Sequence, residues 1–347
     1  RGISLFLVPK YIPDADGTPG KANGVKVVSL EHKTGLHGSP TAVMQYDGAT
    51  GWLVGEPHQG MKAMFTMMNN ARLGVGVQGI GQAEAAFQLA LAHAQERRQG
   101  KTAGGGPTII DHADVRRMLA VMKAEVRAAR GIALMNAVAI DMARATGDAA
   151  WQARAALLTP ITKAFGTDTG VRVAELGVQV HGGMGYIEET GAAQYARDVR
   201  VTAIYEGTNG IQALDLVGRK MLDGGEAALL LLDEVQTGAE EARAALPDLA
   251  GPVWKAAESM REATDVLLAQ SMDDRSAGAV AYLRAFARVL GGHVHLAAAR
   301  AEGGSGARSR LAAFYMARML PELGGLIAEV GTGASVVWAV APDDLSA

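Results

Sequence analysis

One carboxylate sits where a helix is about to begin. The segment Val201-Thr202-Ala203-Ile204-Tyr205-Glu206-Gly207-Thr208-Asn209-Gly210-Ile211-Gln212 reads as a β-like run ending in Glu-Gly, followed by a helix that starts at Thr208. Threonine suits the N-cap, because its hydroxyl accepts a backbone N–H of the first turn. The N–H groups left free at such a start favour anions. A Glu just ahead of them, with Gly beside it, can lie open to a ligand that also touches the backbone. Taken alone, the same residues more readily describe a surface Glu preceding a capped helix.

A second cluster is Gln179-Val180-His181-Gly182-Gly183-Met184-Gly185-Tyr186. Glycine after a helix is commonly a left-handed cap, but three glycines in four positions exceed what a cap requires and would let backbone approach a bulky ligand. Glu96-Arg97-Arg98-Gln99-Gly100-Lys101 places cations at a helix C-terminus, where they complement the dipole or could clamp a phosphate. Gly74-Val75-Gly76-Val77-Gln78-Gly79 spells the dinucleotide fingerprint GxGxxG. That motif needs a preceding strand, and Met61–Arg72 reads as helical. Gly79 and Gly81 are better assigned to close helix–helix contact. His293 and His295 are two apart and cannot share a helix face, so no metal site is expected.

The elements that must position these residues follow from the periodicity. Residues 1–56 carry short β-branched or aromatic runs at Ile3–Val8, Val25–Leu30, Thr41–Tyr46 and Trp52–Val54, separated by Gly, Pro, Asp and Asn. So few strands would hardly close a sheet, so the chain is expected to begin inside a longer protein. After Gly60 the period lengthens. Met61–Gln99 reads as one helix with a break near Gly74–Gly81. Asp111–Thr146 reads as a second, with Val115, Met118/Leu119, Met122 and Val126 as its buried stripe. Pro160 opens a third, through Ala164, Val171, Ala174 and Val178, and a fourth spans Asn209 to Leu222. The expected fold is mainly α: an antiparallel four-helix bundle over 57–222, a partial β-domain over 1–56, and a helical extension over 223–347.

Composition narrows the function classes. The 347 residues contain no Cys, which excludes disulfides, thiolate nucleophiles and Cys-ligated metals. It fits a reducing cytoplasm. No apolar run reaches the roughly 18 residues of a membrane span. The net charge is -3. Residues 226–347 hold 16 acidic and 10 basic side chains, which argues against a nucleic-acid partner.

Taken in order, these segments resemble the acyl-CoA dehydrogenase family. His32-Lys33-Thr34-Gly35-Leu36-His37-Gly38-Ser39 is similar to its HKxG segment. Gly51-Trp52-Leu53-Val54-Gly55-Glu56-Pro57 with Gly60-Met61 is similar to its entry into the helical domain. Glu96-Arg97, Gly182-Gly183-Met184-Gly185-Tyr186 and Tyr205-Glu206-Gly207-Thr208 follow at family-like spacing. The likeness covers about residues 1–222, and 223–347 resembles the extension of long bacterial members, including those like methylmercaptopropionyl-CoA dehydrogenases.

The resemblance implies an oxidoreductase that binds FAD, with Glu206 as the base for the substrate α-proton. It implies Arg97, Gln179, Gly182, Gly183 and Thr208 as cofactor-binding, and Asn69, Arg72, Tyr205 and Gly207 as substrate-binding. Partners would be an acyl-CoA and an electron-transfer flavoprotein, in a cytoplasmic homo-oligomer. Three positions depart from the family pattern. Arg98-Gln99-Gly100 replaces a longer Phe-Gly segment, Gly210 replaces a Gln that contacts FAD, and Asn69 replaces an Asp. An acyl-CoA oxidase would share the base and fold. A DNA-associated branch of the fold would need a basic C-terminal stripe, and the acidic balance there argues against it.

Overall fold

The computed structural model describes residues 2–346, except the side chain of Asn69. The chain divides into two compact units, 1–71 and 72–347.

The first unit holds three antiparallel ribbons. β1 (Leu5–Leu7) pairs with β6 (Trp52–Val54), β2 (Tyr11–Pro13) with β3 (Pro19–Ala22), and β4 (Val25–Leu30) with β5 (Ala42–Tyr46). The β4–β5 register runs from Val25↔Tyr46 to Leu30↔Ala42, with an irregularity between Val27 and Ser29. Sequence patterning finds β1, β4, β5 and β6 but not β2 and β3, which are short and contain Pro13, Pro19 and Gly20, residues that weigh against a strand. Buried Asn23 fastens the ribbons. Its Nδ2 donates to the carbonyls of Pro9 (2.9 Å) and Thr50 (2.7 Å), and its Oδ1 accepts from the Thr50 N–H. Most side chains of these strands are exposed, Leu7, Val28, Leu30 and Tyr46 among them.

The helices are α1 (Gly60–Glu96), α2 (Ala113–Thr146), α3 (Ala149–His181), α4 (Ala192–Val199), α5 (Asn209–Arg219), α6 (Glu226–Arg243), α7 (Pro247–Ala269), α8 (Met272–Ala277), α9 (Ala279–Ala301), α10 (Ala307–Arg318), α11 (Glu322–Thr332) and α12 (Ser335–Trp338). α1 lies in both units and is continuous through Gly74–Gly81, where a break was expected. Within the second unit its glycines lie against α3. A β-carbon on Gly79 would meet the Gly166 carbonyl at 2.6 Å, and one on Gly76 the Thr162 carbonyl at 2.8 Å. Gly81 has no such neighbour, so Gly76 and Gly79, rather than Gly79 and Gly81, make the close approach.

Pro160 does not open α3. The helix begins eleven residues earlier, at Ala149, where Asp148 caps it by accepting from the N–H groups of Ala150 (2.7 Å) and Trp151 (3.3 Å). An interior proline costs a helix about 3 kcal/mol. Burial of Leu157, Leu158 and Ile161 around Pro160 opposes that cost, as tertiary packing commonly does. The α2–α3 turn is short because Gly147 takes a left-handed conformation (φ 69°) directly before the Asp148 cap. The expected stripe of α2 is inward-facing: Met118, Leu119, Met122 and Val126 are buried, and Val115 packs against them.

The structure is mainly helical, as the periodicity indicates. One hydrophobic cluster runs from Ile80 on α1 through α2, α3 and α5 to Val330 on α11. α9 is its centre, burying Tyr282, Phe286, Leu290 and Leu296 among others. No single helix among the described residues is long and apolar enough to cross a membrane.

Candidate active site

The segment ahead of Glu206 is not a strand. α4 runs on into a 3-10 turn at Arg200–Ala203, with the Ile204 and Tyr205 N–H groups donating to the Val201 carbonyl (2.9 and 3.1 Å). Thr202 is fully buried and its hydroxyl bonds the Val199 carbonyl (2.7 Å). A short apolar run fits a helical turn as well as a strand by period alone, and the described residues of the second unit include no strand to select the second.

Glu206 then takes φ 55° and Gly207 φ 85°. Among the described residues only Leu36, His58 and Glu206 combine a side chain with positive φ. The conformation costs an L-residue about 1–2 kcal/mol, so the surrounding structure must impose it. Inward-facing donors do so. The Gln212 side-chain amide donates to the carbonyls of Glu206 and Gly207, both at 3.2 Å, and the Lys163 ammonium donates to the Gly207 carbonyl at 2.8 Å. In a trans peptide the carbonyl and the following N–H point in opposite directions. Carbonyls turned inward at 206 and 207 therefore turn the Gly207 and Thr208 N–H groups outward. Neither has a hydrogen-bond partner among the described residues. The half-buried Glu206 thus shares a turn with amides able to receive a negative oxygen.

Thr208 is the N-cap of α5, its hydroxyl accepting from the Ile211 N–H at 3.3 Å. The Tyr205 hydroxyl donates to Gln78 Oε1 on α1, and burial pushes that phenol up from its ordinary value. Arg72 is buried, and its Nη1 contacts Asp215 on α5 at 3.0 Å, a carboxylate shared with Arg219 at 2.6 Å. The Arg72 Nε is buried without a partner. Lys163 bonds the turn through the Gly207 carbonyl at 2.8 Å, and Arg72 opposes its charge. Asn69 falls within α1, and its side chain lies outside the described residues.

The glycine loop closes α3. Gly182 takes φ 60°, ψ −137°, a combination that belongs to glycine. Gly182, Gly183 and Gln179 are exposed, whereas Gly185 is buried against the Val178 carbonyl. The preceding His181 hydrogen-bonds the Gly177 carbonyl through Nδ1 (2.7 Å) and stacks on His93 with ring centroids 4.3 Å apart. Burial, with His181 beside it, holds the His93 imidazole below its usual value. Arg97 follows α1 in an exposed turn that its carbonyl anchors by accepting from the Ile109 N–H (2.8 Å). It makes no salt bridge among the described residues. No cluster of three or more His, Asp or Glu able to hold a metal occurs among them either.

Sequence reasoning did not single out Lys163, Gln212, Asn209 or Asp215. The available signal was a charged residue in an apolar stretch: Lys163 stands in Ile161-Thr162-Lys163-Ala164-Phe165, and Asp215 between Leu214 and Leu216.

Residues 58–222 match the family model of the acyl-CoA dehydrogenase C-terminal domain. Residues 231–341 match one described as acetyl-CoA dehydrogenase C-terminal like. The chain is 50% identical over 236 residues to 3-methylmercaptopropionyl-CoA dehydrogenase of Ruegeria pomeroyi, covering 66% of this chain and 40% of that protein. It therefore spans less than half the length of that curated relative. Among solved structures it superposes on Caenorhabditis elegans ACDH-11 in complex with C11-CoA (TM-score 0.80, 23% identity, 97% of this chain and 56% of that one). It also superposes on an acyl-CoA dehydrogenase complexed with FAD from Bacillus anthracis (TM-score 0.74, 22% identity, 93% and 58%). At these identities the two structures establish the likeness of fold.

Proposed function

The chain belongs to the acyl-CoA dehydrogenase family, and from that premise we propose that the protein oxidises an acyl-CoA thioester to its trans-2-enoyl-CoA with Glu206 as the α-proton base. The observation that carries this reading is the left-handed Glu206-Gly207 turn, which presents a carboxylate and two outward N–H groups together.

A thioester α-proton is weakly acidic, so a carboxylate alone is a poor match for it. Glu206 takes the proton, and the amides of its own turn accept the negative charge that develops on the thioester oxygen. Closure of the site over substrate removes water from Glu206 and makes it a stronger base.

The residues present fit FAD. Gly182 and Gly183 bare their backbone, Arg97 offers a cation unbound by any carboxylate among the described residues, and Thr208 caps a helix whose N-terminus favours phosphate. Gln179, Gly182, Gly183, Arg97 and Thr208 would hold the cofactor, and Asn69, Arg72, Tyr205 and Gly207 the substrate. When bound, FAD supplies the acceptor for the β-hydride and the path of both electrons to an electron-transfer flavoprotein. The likeness to the Ruegeria enzyme supports a short thioether acyl-CoA as the first substrate to try.

In the intact protein Glu206→Gln should retain flavin and acyl-CoA binding, while anaerobic flavin reduction slows by at least about 100-fold. Reduction at the parent rate would remove Glu206 from this role.

A further inference from the structure

Lys163 projects from α3 into the second unit's interior. Its side chain is fully buried, yet it makes no salt bridge among the described residues. Its hydrogen bonds go to two neutral oxygens, the Gly207 carbonyl at 2.8 Å and Asn209 Oδ1 at 2.9 Å. Enclosing an ammonium without a paired carboxylate is costly. An apolar residue would fill this position of α3 at lower cost, so what the ammonium holds must account for it.

What it holds is the start of α5 and the turn before it. Asn209, the first residue of α5, is a hub. Its Nδ2 donates to Asp168 Oδ1 (2.6 Å), Thr167 Oγ1 (3.0 Å) and the Ala164 carbonyl (3.3 Å), while its Oδ1 accepts from Lys163. Lys163 therefore ties the Gly207 peptide to the same stretch of α3 that Asn209 grips.

We propose that Lys163 is a positioning residue for the Glu206 turn. By holding the Gly207 carbonyl inward it aims the Thr208 N–H outward, and it places a positive charge behind the carboxylate and the oxyanion-receiving amides. The inference rests on Glu206 being the base. Burial depresses the ammonium to about 8, Asp168 and then Glu206 favour its charge, and Arg72 opposes it.

The test compares Lys163→Met with Glu206→Gln and the parent in the intact flavoprotein. For Lys163→Met, anaerobic reduction by acyl-CoA should slow about tenfold or more, with KM within about threefold. The ascending limb of its pH profile should move to higher pH, because the Lys163 charge beside the turn is gone. Amide hydrogen exchange, followed without substrate, should quicken about tenfold at Ile211 and Gln212, whose N–H groups donate to Thr208, and leave α2 unchanged. A slower rate with an unmoved profile would make Lys163 merely structural and overturn the inference, as would parent-like rate and exchange. If Glu206→Gln also reduces normally, the assignment of the base fails instead. Should Lys163→Met not yield folded flavoprotein, Asn209→Ala decides the matter. It should quicken exchange at the same two amides and slow reduction without moving the pH profile, and parent-like exchange there would overturn the inference.

Discussion

Glu206 stands in a backbone conformation that a side chain makes unfavourable by about 1–2 kcal/mol, and glycine relieves that cost while adding freedom to the unfolded chain. Glu206→Gly should therefore leave the urea midpoint unchanged or raise stability by up to about 1 kcal/mol while removing the carboxylate. Glycine at an ordinary position would lower it, so a clear loss of stability would show that the turn is not strained. Glu206 was legible in the sequence because Gly207 and the Thr208 cap mark a helix start. The strain was not, since it arises from donors at Lys163, 44 residues before Gly207, and at Gln212, six residues after Glu206. The role given to Arg72 was read from family spacing. Its ion pair with Asp215 spans 143 residues, a distance no local pattern reports.

At the scale of elements, α9 is fixed on α2 by His295, a fully buried imidazole. Its Nε2 meets the Ala124 carbonyl at 3.1 Å, and its ring stacks on Tyr315 at 4.6 Å. Burial holds this imidazole down to about 4, against 6.5 for the free group. The folded pKa lies below the unfolded one, so the unfolded chain takes up a proton that the folded protein refuses. The His295 contribution is thus complete above about pH 6.5 and is lost as pH falls toward 4. Replacing it by Leu should flatten the fall in urea midpoint between pH 6.5 and 4. An unchanged slope would show that His295 does not carry it. α1 and α3 illustrate the limits of pattern at this scale. The GxGxxG run is correctly set aside as helical, yet which of its glycines makes the contact depended on the facing backbone of Thr162 and Gly166. Pro160 pointed to a helix start, but burial on both sides carries α3 through it.

Across the whole second unit, the bundle and the C-terminal helices are joined by a buried charge network. Arg288 on α9 meets both oxygens of Glu125 on α2 (2.8 and 2.9 Å) and Glu322 on α11 (2.7 Å). Arg172 on α3 also reaches Glu125 at 2.9 Å, and Arg284 reaches Glu322 at 2.7 Å. Burial opposes the Arg288 charge, but the Glu125 carboxylate more than offsets it and holds the guanidinium above its usual value. Removing one member strands the other, which typically costs about 3–5 kcal/mol, whereas replacing both is far milder. Arg288→Met should lose stability on that scale by urea unfolding, and Arg288→Met with Glu125→Leu should recover most of it. Additive losses would deny the coupling. The division into 1–56, 57–222 and 223–347 is retained as a proposal for how the chain is organised.

By itself the sequence determined the helical class, the stripe of α2, four of the strands and the Thr208 cap. Each is set by neighbours within about one or two turns of chain. Tertiary structure alone decided that Lys163 and Gln212 face the Glu206 turn, that Arg72 is bound to Asp215, and that Arg288 and Glu125 meet in the interior. Those pairings join residues far apart in sequence, and their energies depend on burial and on where facing backbones run. Neither of these is written in local spacing.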